Sequence, residues 1–310
     1  MTAARVLELI GKALTRSPRH TIGRIAEETR RVARRPWSRV YPSILNDRAL
    51  LRATATGSID ELWRALAVQP FFVKASDRHR YVAAVAAHCP EDRPRIVAAA
   101  DRALAHEFDL LGSGPKQLGP RLPWHEDFKT GRHWPLAYSP GIEYSELDRP
   151  TDVKVPWELS RCQHFPVMGQ AYWLTGDERY AQEYVDQVTD WIASNPWGHG
   201  VNWACAMDVA LRAVSWIWGF YFFADSEACA SPPFRSALLR SLYLHGEWVA
   251  THLEKGPVNG NHYLSDGVGL VFLGCFFKGS KKGQAWLRTG RAIVLDEMLV
   301  QVTADGVDFE

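Results

Sequence analysis

The chain has 310 residues, of which 46% are hydrophobic and 12% aromatic, enough for one large domain or two ordinary ones and too apolar for a disordered chain. Its 36 Lys and Arg residues balance 35 Asp and Glu residues to a formal net charge of +1, which disfavours a general nucleic-acid binder.

Cysteine spacing and the lengths of the apolar runs disfavour further classes of protein. Five Cys residues occur without a CxxC pair, which predicts buried free thiols and neither a zinc ribbon nor a disulfide framework. The N-terminus lacks the long apolar region of a secretory signal, so export is not expected for the chain as written. The longest apolar run, residues 213–224, has 12 residues where a membrane span needs about 20, and it predicts a buried helix.

The first 55 residues are basic and predict one or two surface helices that end before Pro36. Residues 15–39 carry eight Arg against two Glu, which is typical of a solvated helical face or of a patch that attracts an acidic substrate. A nucleic-acid arm is the less favoured alternative. Three helical patterns follow between residues 59 and 110. Residues 111–155 then form a long irregular stretch rich in Gly and Pro, which usually indicates function.

Beyond Pro156 the chain alternates between two kinds of helical pattern. One kind is amphipathic, which predicts an outer helix, and the other is apolar nearly all round, which predicts burial on all sides. Gly176 and Asp177 supply a C-cap and the next N-cap. The amphipathic segments are 177–194, 235–253 and 284–302, and the apolar ones are 203–224 and 262–277.

This alternation predicts an all-α fold with two concentric layers of antiparallel helical hairpins, an incomplete α/α toroid of the (α/α)5–6 type. Equivalent segments start 58 or 59 residues apart, as in a helical-hairpin repeat. We assign residues 101–310 to the toroid domain and residues 1–100 to a helical segment packed on it or part of it. If every inner helix runs the same way, the inner-helix starts share one rim.

Polar and aromatic residues mark those predicted starts. Unpaired backbone N–H groups at helix starts favour an anion, so we expect a locally cationic rim that binds an acidic group such as a carboxylate. The residues at the starts are Arg161 and His164, Asn202 and Trp203, and Asn259, Asn261, His262 and Tyr263.

Some of these asparagines also have a structural interpretation. Asn202, Asn259 and Asn261 are all good N-cap residues, and capping is the favoured role for Asn202 and Asn259. Asn261 beside His262 is harder to explain structurally, because two polar residues that enter an apolar helix are costly without partners or a wet cavity. We therefore predict a site role for that pair.

Charged and aromatic residues near the rim leave further alternatives open. Arg161 fits either a site role or an ion pair with Glu158 or Asp208. Asp208 and Arg212, four residues apart on one helix, are expected to pair with each other. The tryptophans are either core residues or platforms on which a sugar stacks, the candidates being Trp124, Trp134 and Trp203.

The sequence lacks the motifs of several other enzyme classes. The run that begins at His125 has Lys129 where HExxH needs its second His, and the chain contains no GxSxG, GxGxxG or phosphate-binding loop. We predict no metal and no cofactor. An α/α-toroid glycoside hydrolase remains an alternative that needs two carboxylates across a cleft, for which the candidates are Asp208, Glu247 and Asp266.

Several ordered motifs carry a family resemblance. The runs VPWELSRCQHFPVMGQAYWLTGDERYAQEY, GVNWACAMDVALRAVSWIW, NGNHYLSDGVGLVFLG and DGVDFE resemble the N-terminal helical domain of the heparinase II/III polysaccharide lyases, relatives of alginate lyases. The resemblance covers roughly residues 110–310, including WHEDFKTGRHWP. It implies a toroid followed by a β-sandwich domain, and β-elimination on uronic-acid-containing polysaccharides.

The resemblance also implies roles for residues. Removing the C5 proton of a uronate builds charge on its carboxylate, which hydrogen-bond donors must neutralise. Asn261 is expected to do this, with His262 assisting it or acting as a base. Arg161, His164, Asn202 and Trp203 are expected to line subsites, and the further substrate-binding candidates are Tyr263, Trp124, His125 and Trp134.

In the family, a catalytic Tyr follows a segment like residues 305–310, and the β-sandwich comes after it. Neither is present in this sequence, so we expect a fragment that is inactive alone. Localisation stays open, because the family is often exported. The alternatives to a lyase are the hydrolase and a non-catalytic, glycan-binding helical scaffold.

Overall fold

The structure is a computed structural model and describes residues 35–144 and 149–308. The predicted basic surface helices fall mostly on residues 1–34, outside the described residues. The chain divides into two compact units, Met1–Ile44 and Leu45–Glu310. In the first unit, residues 35–44 are helical.

The second unit begins with four helices, and the last three match the three helical patterns predicted between residues 59 and 110. Asn46 and Ser58 cap the first two, each accepting a hydrogen bond from a backbone N–H three residues on. The helices are α1 (Asp47–Thr54), α2 (Ile59–Ala67), α3 (Arg78–His88) and α4 (Asp92–Leu104).

The predicted irregular stretch holds two short antiparallel hairpins and little other regular structure. In the second hairpin, Asp127 is buried and accepts hydrogen bonds from the Lys129 amide and the Thr130 hydroxyl, which stabilises the turn. The strands are β1 (Glu107–Phe108) with β2 (Lys116–Gln117), and β3 (Glu126–Asp127) with β4 (Arg132–His133).

Seven further helices follow, and the last five lie close to the five predicted segments. Gly176 adopts a left-handed conformation with φ of 76° and ends one helix, and the Asp177 carboxylate accepts a hydrogen bond from the Arg179 amide and begins the next, as predicted. The helices are α5 (Lys154–Ser160), α6 (Phe165–Thr175), α7 (Glu178–Ser194), α8 (Ala206–Phe223), α9 (Pro232–Thr251), α10 (Asn261–Phe276) and α11 (Lys281–Gln301).

These helices form two layers. In the inner layer α8 packs between α6 and α10, while in the outer layer α9 contacts both α7 and α11. Each inner helix also packs against the outer helix that follows it. Gly269 allows the close approach of α10 to α8, since a Cβ there would lie 2.4 Å from the Ala210 Cβ. The all-α fold and the incomplete α/α toroid predicted from the sequence are confirmed.

Helices α1 to α4 of the second unit pack against this body. The Trp63 indole donates to the Ala224 carbonyl over 3.0 Å, and the Tyr180 hydroxyl on α7 donates to the Asp101 carboxylate over 2.7 Å. The second compact unit begins at Leu45. The predicted division into residues 1–100 and 101–310 stays a prediction.

The two apolar inner helices differ in burial. Helix α8 is buried along most of its length, as predicted for its apolar run. Helix α10 is not buried on all sides as expected: Cys275 is exposed and Phe272 half-buried, and both line a groove of 390 Å³ with Phe71 and Phe72. Hydrophobic periodicity identifies an apolar face but not whether a neighbour covers it.

Two smaller predictions concern thiols and membranes. All five cysteines are free; Cys162, Cys205 and Cys229 are buried, whereas the exposed Cys275 and half-buried Cys89 depart from the expected burial. Within residues 35–144 and 149–308, no helix combines the length and hydropathy needed to cross a membrane.

Candidate functional site at the inner-helix starts

The starts of the three inner helices meet, as predicted. Arg161, just before α6, contacts Asp208 in the first turn of α8, with 2.7 Å between Nε and Oδ1. Cys205, the N-cap of α8, lies 3.7 Å from Nδ1 of His262 in the first turn of α10. We call this convergence the rim, and its members are Arg161, Cys205, Asp208, Glu254, Asn261 and His262.

At the starts of α6 and α8, the rim is held by ion pairs of Arg161. Arg161 pairs with both Glu158 and Asp208, so both structural partners considered for it are confirmed. The expected pair between Asp208 and Arg212 is wrong. Arg212 is fully buried and donates instead to His245 over 2.9 Å. Its guanidinium also lies over the Trp191 ring, 4.0 Å from the centroid.

The other side of the rim centres on His262. Its Nδ1 lies 3.1 Å from Oε2 of Glu254, and its side chain is 46% exposed. The hydrogen bond to Glu254 raises the pKa of His262. The Glu254 amide donates over 2.7 Å to Asp266, and burial raises the pKa of that carboxyl to about 8. The start of α10 thus presents an accessible imidazole beside the carboxylate of Glu254, and the backbone of Glu254 is in turn held by Asp266.

The neighbours of His262 differ in exposure. Asn261 is exposed at the first position of α10. Tyr263 is buried, and the Lys255 ammonium lies over its ring. Asn259 does not cap the helix; its amide donates to Glu297 over 2.5 Å, and Gly260 is the N-cap. The structure therefore leaves Asn261 and His262 as the accessible predicted pair.

The predicted candidates at the start of α8 are interior residues. Asn202 is fully buried; its amide donates to the Trp124 carbonyl over 2.6 Å and to Asn195 over 2.9 Å, so it ties two loops together instead of capping α8. Trp203 is 2% exposed, and its indole donates to the Asn195 carbonyl over 3.2 Å. Neither side chain offers a surface to a ligand in this structure.

The candidates from the irregular stretch are also structural. Trp124 is 2% exposed and donates to Asp190 over 2.7 Å, while Trp134 is 1% exposed, so the predicted stacking of a sugar on these rings has no accessible face here. His125 is partly buried and contacts the Ser194 carbonyl over 3.0 Å, and burial lowers its pKa. Trp124 and His125 thereby dock the loop against α7.

His164 belongs to a separate network. Its Nε2 lies 2.7 Å from the Gln187 amide oxygen, and Gln187 in turn donates to Glu183, which also contacts His106 over 2.7 Å. Burial lowers the pKa of His164 to about 4. These contacts join α6, α7 and the loop after α4, and none of them is with a rim residue.

The charge of the rim differs from the cationic rim expected. The Arg161 guanidinium is shared between two carboxylates, and Glu254 accompanies the imidazole of His262. The carboxylates proposed for the alternative hydrolase are all engaged: Asp208 and Asp266 are buried, and Glu247 pairs with Lys282. The described contacts therefore do not favour a pair of carboxylates facing each other across a cleft.

Sequence reasoning missed three residues at this place. Cys205 and Glu254 touch His262, yet they lie 57 and 8 residues from it along the chain. Tyr144 is 37% exposed, and burial raises its pKa, with further contributions from the charges of Cys205 and Glu254. Only the position of Cys205 between Asn202 and Asp208, within a recognised motif, was a signal in the sequence.

Comparisons with known proteins agree on one family. Residues 98–310 match the family model described as heparinase II/III N-terminus. A heparin-sulfate lyase of Pedobacter heparinus is 30% identical over 217 residues, which cover 68% of this chain and 29% of that protein. A heparin-sulfate lyase of Bacteroides stercoris is 29% identical, with 68% and 31% covered. The chain thus spans about three tenths of the length of these curated relatives.

Solved structures give the same result. The crystal structure of heparan sulfate lyase HepC from Pedobacter heparinus matches with a TM-score of 0.54 at 29% identity, over 69% of this chain and 31% of that one. A structure described as a heparinase III gene product matches with a TM-score of 0.50 at 25% identity, over 70% and 32%.

Proposed function

We propose that this chain, which belongs to the heparinase II/III family and matches the N-terminal part of that family, binds a uronic-acid-containing polysaccharide that is cleaved by β-elimination. The observation that carries the proposal is the accessible Asn261–His262 pair at the point where the inner-helix starts meet, in a chain that matches this family over residues 98–310.

The chemistry of β-elimination accounts for an amide at this position. The C5 proton of a uronate is α to a carboxylate, so its removal places negative charge on the carboxylate oxygens. A positioned N–H donor stabilises that charge more in the transition state than in the ground state. Asn261 carries an amide donor in the first turn of α10, where the helix dipole also favours an anion.

His262 supports the same carboxylate in this proposal. Its Nδ1 is engaged by Glu254, which fixes the orientation of the ring and leaves Nε2 as the nitrogen available to a substrate. Nε2 then either donates to the carboxylate or accepts the C5 proton. The partial exposure of the ring allows a saccharide to reach it.

The buried candidates have an indirect role in this proposal. Asn202 and Trp203 hold the loop that precedes α8, and Arg161 holds the first turn of α8 through Asp208. These residues position the rim and do not contact the saccharide. The heparin-sulfate lyase relatives make heparan sulfate the first polysaccharide to test.

The test is a binding titration of the chain with heparan sulfate and alginate oligosaccharides, with neutral dextran as the comparison. We expect the anionic saccharides to bind and Asn261→Ala to weaken that binding at least about tenfold, the effect of losing a hydrogen bond to a charged group. His262→Gln keeps an N–H donor but no base, so retained affinity indicates the donor role. Gln182→Ala removes an exposed amide from the outer helix α7 and should change nothing.

Two results would contradict the proposal. One is the absence of binding to either anionic saccharide, and the other is unchanged binding by Asn261→Ala. Products distinguish the mechanisms in any preparation that turns over: β-elimination gives the ultraviolet absorbance of an unsaturated uronate, whereas hydrolysis gives new reducing ends without that absorbance. Saccharide binding without turnover in any preparation indicates a glycan-binding scaffold.

A further inference from the structure

Three side chains with different metal-binding chemistry meet at the rim. Cys205 Sγ lies 3.4 Å from Glu254 Oε2 and 3.7 Å from His262 Nδ1, and the carboxylate oxygen lies 3.1 Å from that nitrogen. Thiolate, imidazole and carboxylate are the three ligand types that zinc takes in proteins. The three donor atoms form one small triangle.

The size of this triangle fits a single cation. Zinc bonds are about 2.3 Å to sulfur and about 2.0 to 2.1 Å to nitrogen or oxygen, so two ligands of a tetrahedral ion lie about 3.3 to 3.6 Å apart. The three measured separations of 3.1, 3.4 and 3.7 Å fall around that range. An ion above the triangle reaches all three atoms with shifts of a few tenths of an ångström.

The three ligands are held by separate elements with supporting hydrogen bonds. Cys205 is the N-cap of α8, and His262 lies in the first turn of α10. Glu254 accepts from the Met207 amide over 3.0 Å, and its own amide donates to the buried Asp266 carboxylate. Such outer contacts orient metal ligands and are typical of built sites.

Charge and exposure complete the argument. The charges of Asp208 and Asp266 act on His262 in addition to that of Glu254, and the one Arg on the rim is already engaged by two carboxylates. Cys205 is buried, whereas the side chains of Glu254 and His262 are 28% and 46% exposed. The triangle is therefore closed on one side and open to solvent on the other.

We propose that Cys205, Glu254 and His262 form a site for a zinc-class divalent cation, with water or an anionic oxygen as its fourth ligand. The expectation of no metal came from the absence of short ligand spacings, and these ligands are 49 and 8 residues apart in sequence. The site shares His262 with the proposed saccharide site. Metal binding is measured without saccharide, so failure of the metal proposal is distinguishable from failure of the proposed polysaccharide function.

The test is titration of the metal-free chain with Co²⁺, followed by competition with Zn²⁺. We expect saturation at one ion per chain, an absorption band of cobalt–thiolate charge transfer, and displacement by the more tightly bound Zn²⁺. Cys205→Ser should abolish the thiolate band, and Glu254→Gln and His262→Ala should each weaken Zn²⁺ binding at least about tenfold. Cys275→Ser, which removes the exposed thiol outside the site, should leave both signals unchanged.

The proposal is overturned if the chain shows no thiolate band with Co²⁺, or if the band survives in Cys205→Ser. Circular dichroism verifies that each variant is folded. If the buried Cys205→Ser variant does not fold, the two more exposed ligands decide the question, since unchanged Zn²⁺ affinity in both Glu254→Gln and His262→Ala also overturns it.

Discussion

The starts of α8 and α10 are equivalent positions of the hairpin repeat, yet they meet different surroundings. Before α8, Asn202 and Trp203 are buried and hydrogen-bonded to distant loops. At the start of α10, Asn261 and His262 are exposed. The sequence patterns are similar, each an amide beside an aromatic ring at the start of an apolar helix, so pattern alone does not separate an interior anchor from an accessible site.

The difference has a packing origin. Helix α8 lies between α6 and α10, and the loop that carries Trp124 closes over its start through Asn202. At the start of α10, the preceding chain contributes the partner Glu254 but leaves the imidazole half open. One start therefore contributes mainly stability, and the other offers donors to a ligand.

The largest expected effect comes from Trp203→Ala. Because this ring is buried against Trp191, His245 and Trp248, its removal should lower the free energy of unfolding by about 3 to 5 kcal/mol. Urea denaturation measures this change. Trp218→Ala, on the half-buried side of α8, serves as the control and should cost less.

A result of the opposite kind would reverse the comparison. If Trp203→Ala keeps its stability but loses affinity for an anionic saccharide, the ring is a stacking platform and the start of α8 belongs to the binding surface, as the sequence alone allowed.

The next largest effect is expected at the ion pair between Arg161 and Asp208, which joins the starts of α6 and α8. Arg161→Met leaves Asp208, which is 1% exposed, without its cationic partner, and should cost about 3 kcal/mol of unfolding free energy. Adding Asp208→Asn removes the unpaired charge and should recover part of that loss in the same urea experiment. Equal losses in the single and double variants would contradict the expectation that the unpaired charge of Asp208 causes the loss.

The smallest stability effect is expected at the start of α10. Asn261→Ala and His262→Ala alter exposed side chains, so each should change the free energy of unfolding by no more than about 0.5 kcal/mol, even where ligand binding is lost. Thermal and urea unfolding of the ligand-free variants test this. A loss near that of Trp203→Ala would make these residues structural, and the contrast between the two starts would disappear.

Much of the architecture was predictable because its signals are local. The cap at Asp177, the left-handed Gly176 and the alternation of amphipathic and apolar segments each depend on neighbours within one or two helical turns. The convergence of inner-helix starts then followed from a common helix direction, and the contacts of Arg161 with Asp208 and of Cys205 with His262 confirm it.

The failures share one cause, since each depends on a distant segment. Arg212 pairs with His245 on the next helix rather than with Asp208 four residues away. Trp134 is in the core because residues from two other segments pack around it, namely Ile142, Val153, Trp157, Val201 and Cys205. Sequence periodicity contains no information about which loop covers a given ring.

The sequence by itself determined the helices, their layering and the family to which the chain belongs, because capping, periodicity and ordered motifs are properties of neighbouring residues. Only the tertiary structure decided which polar helix starts are open to solvent and which residues share the rim. Burial and the meeting of Cys205, Glu254 and His262 arise from packing between segments far apart in the chain, where hydrophobic burial and exclusion of water are set by the whole fold.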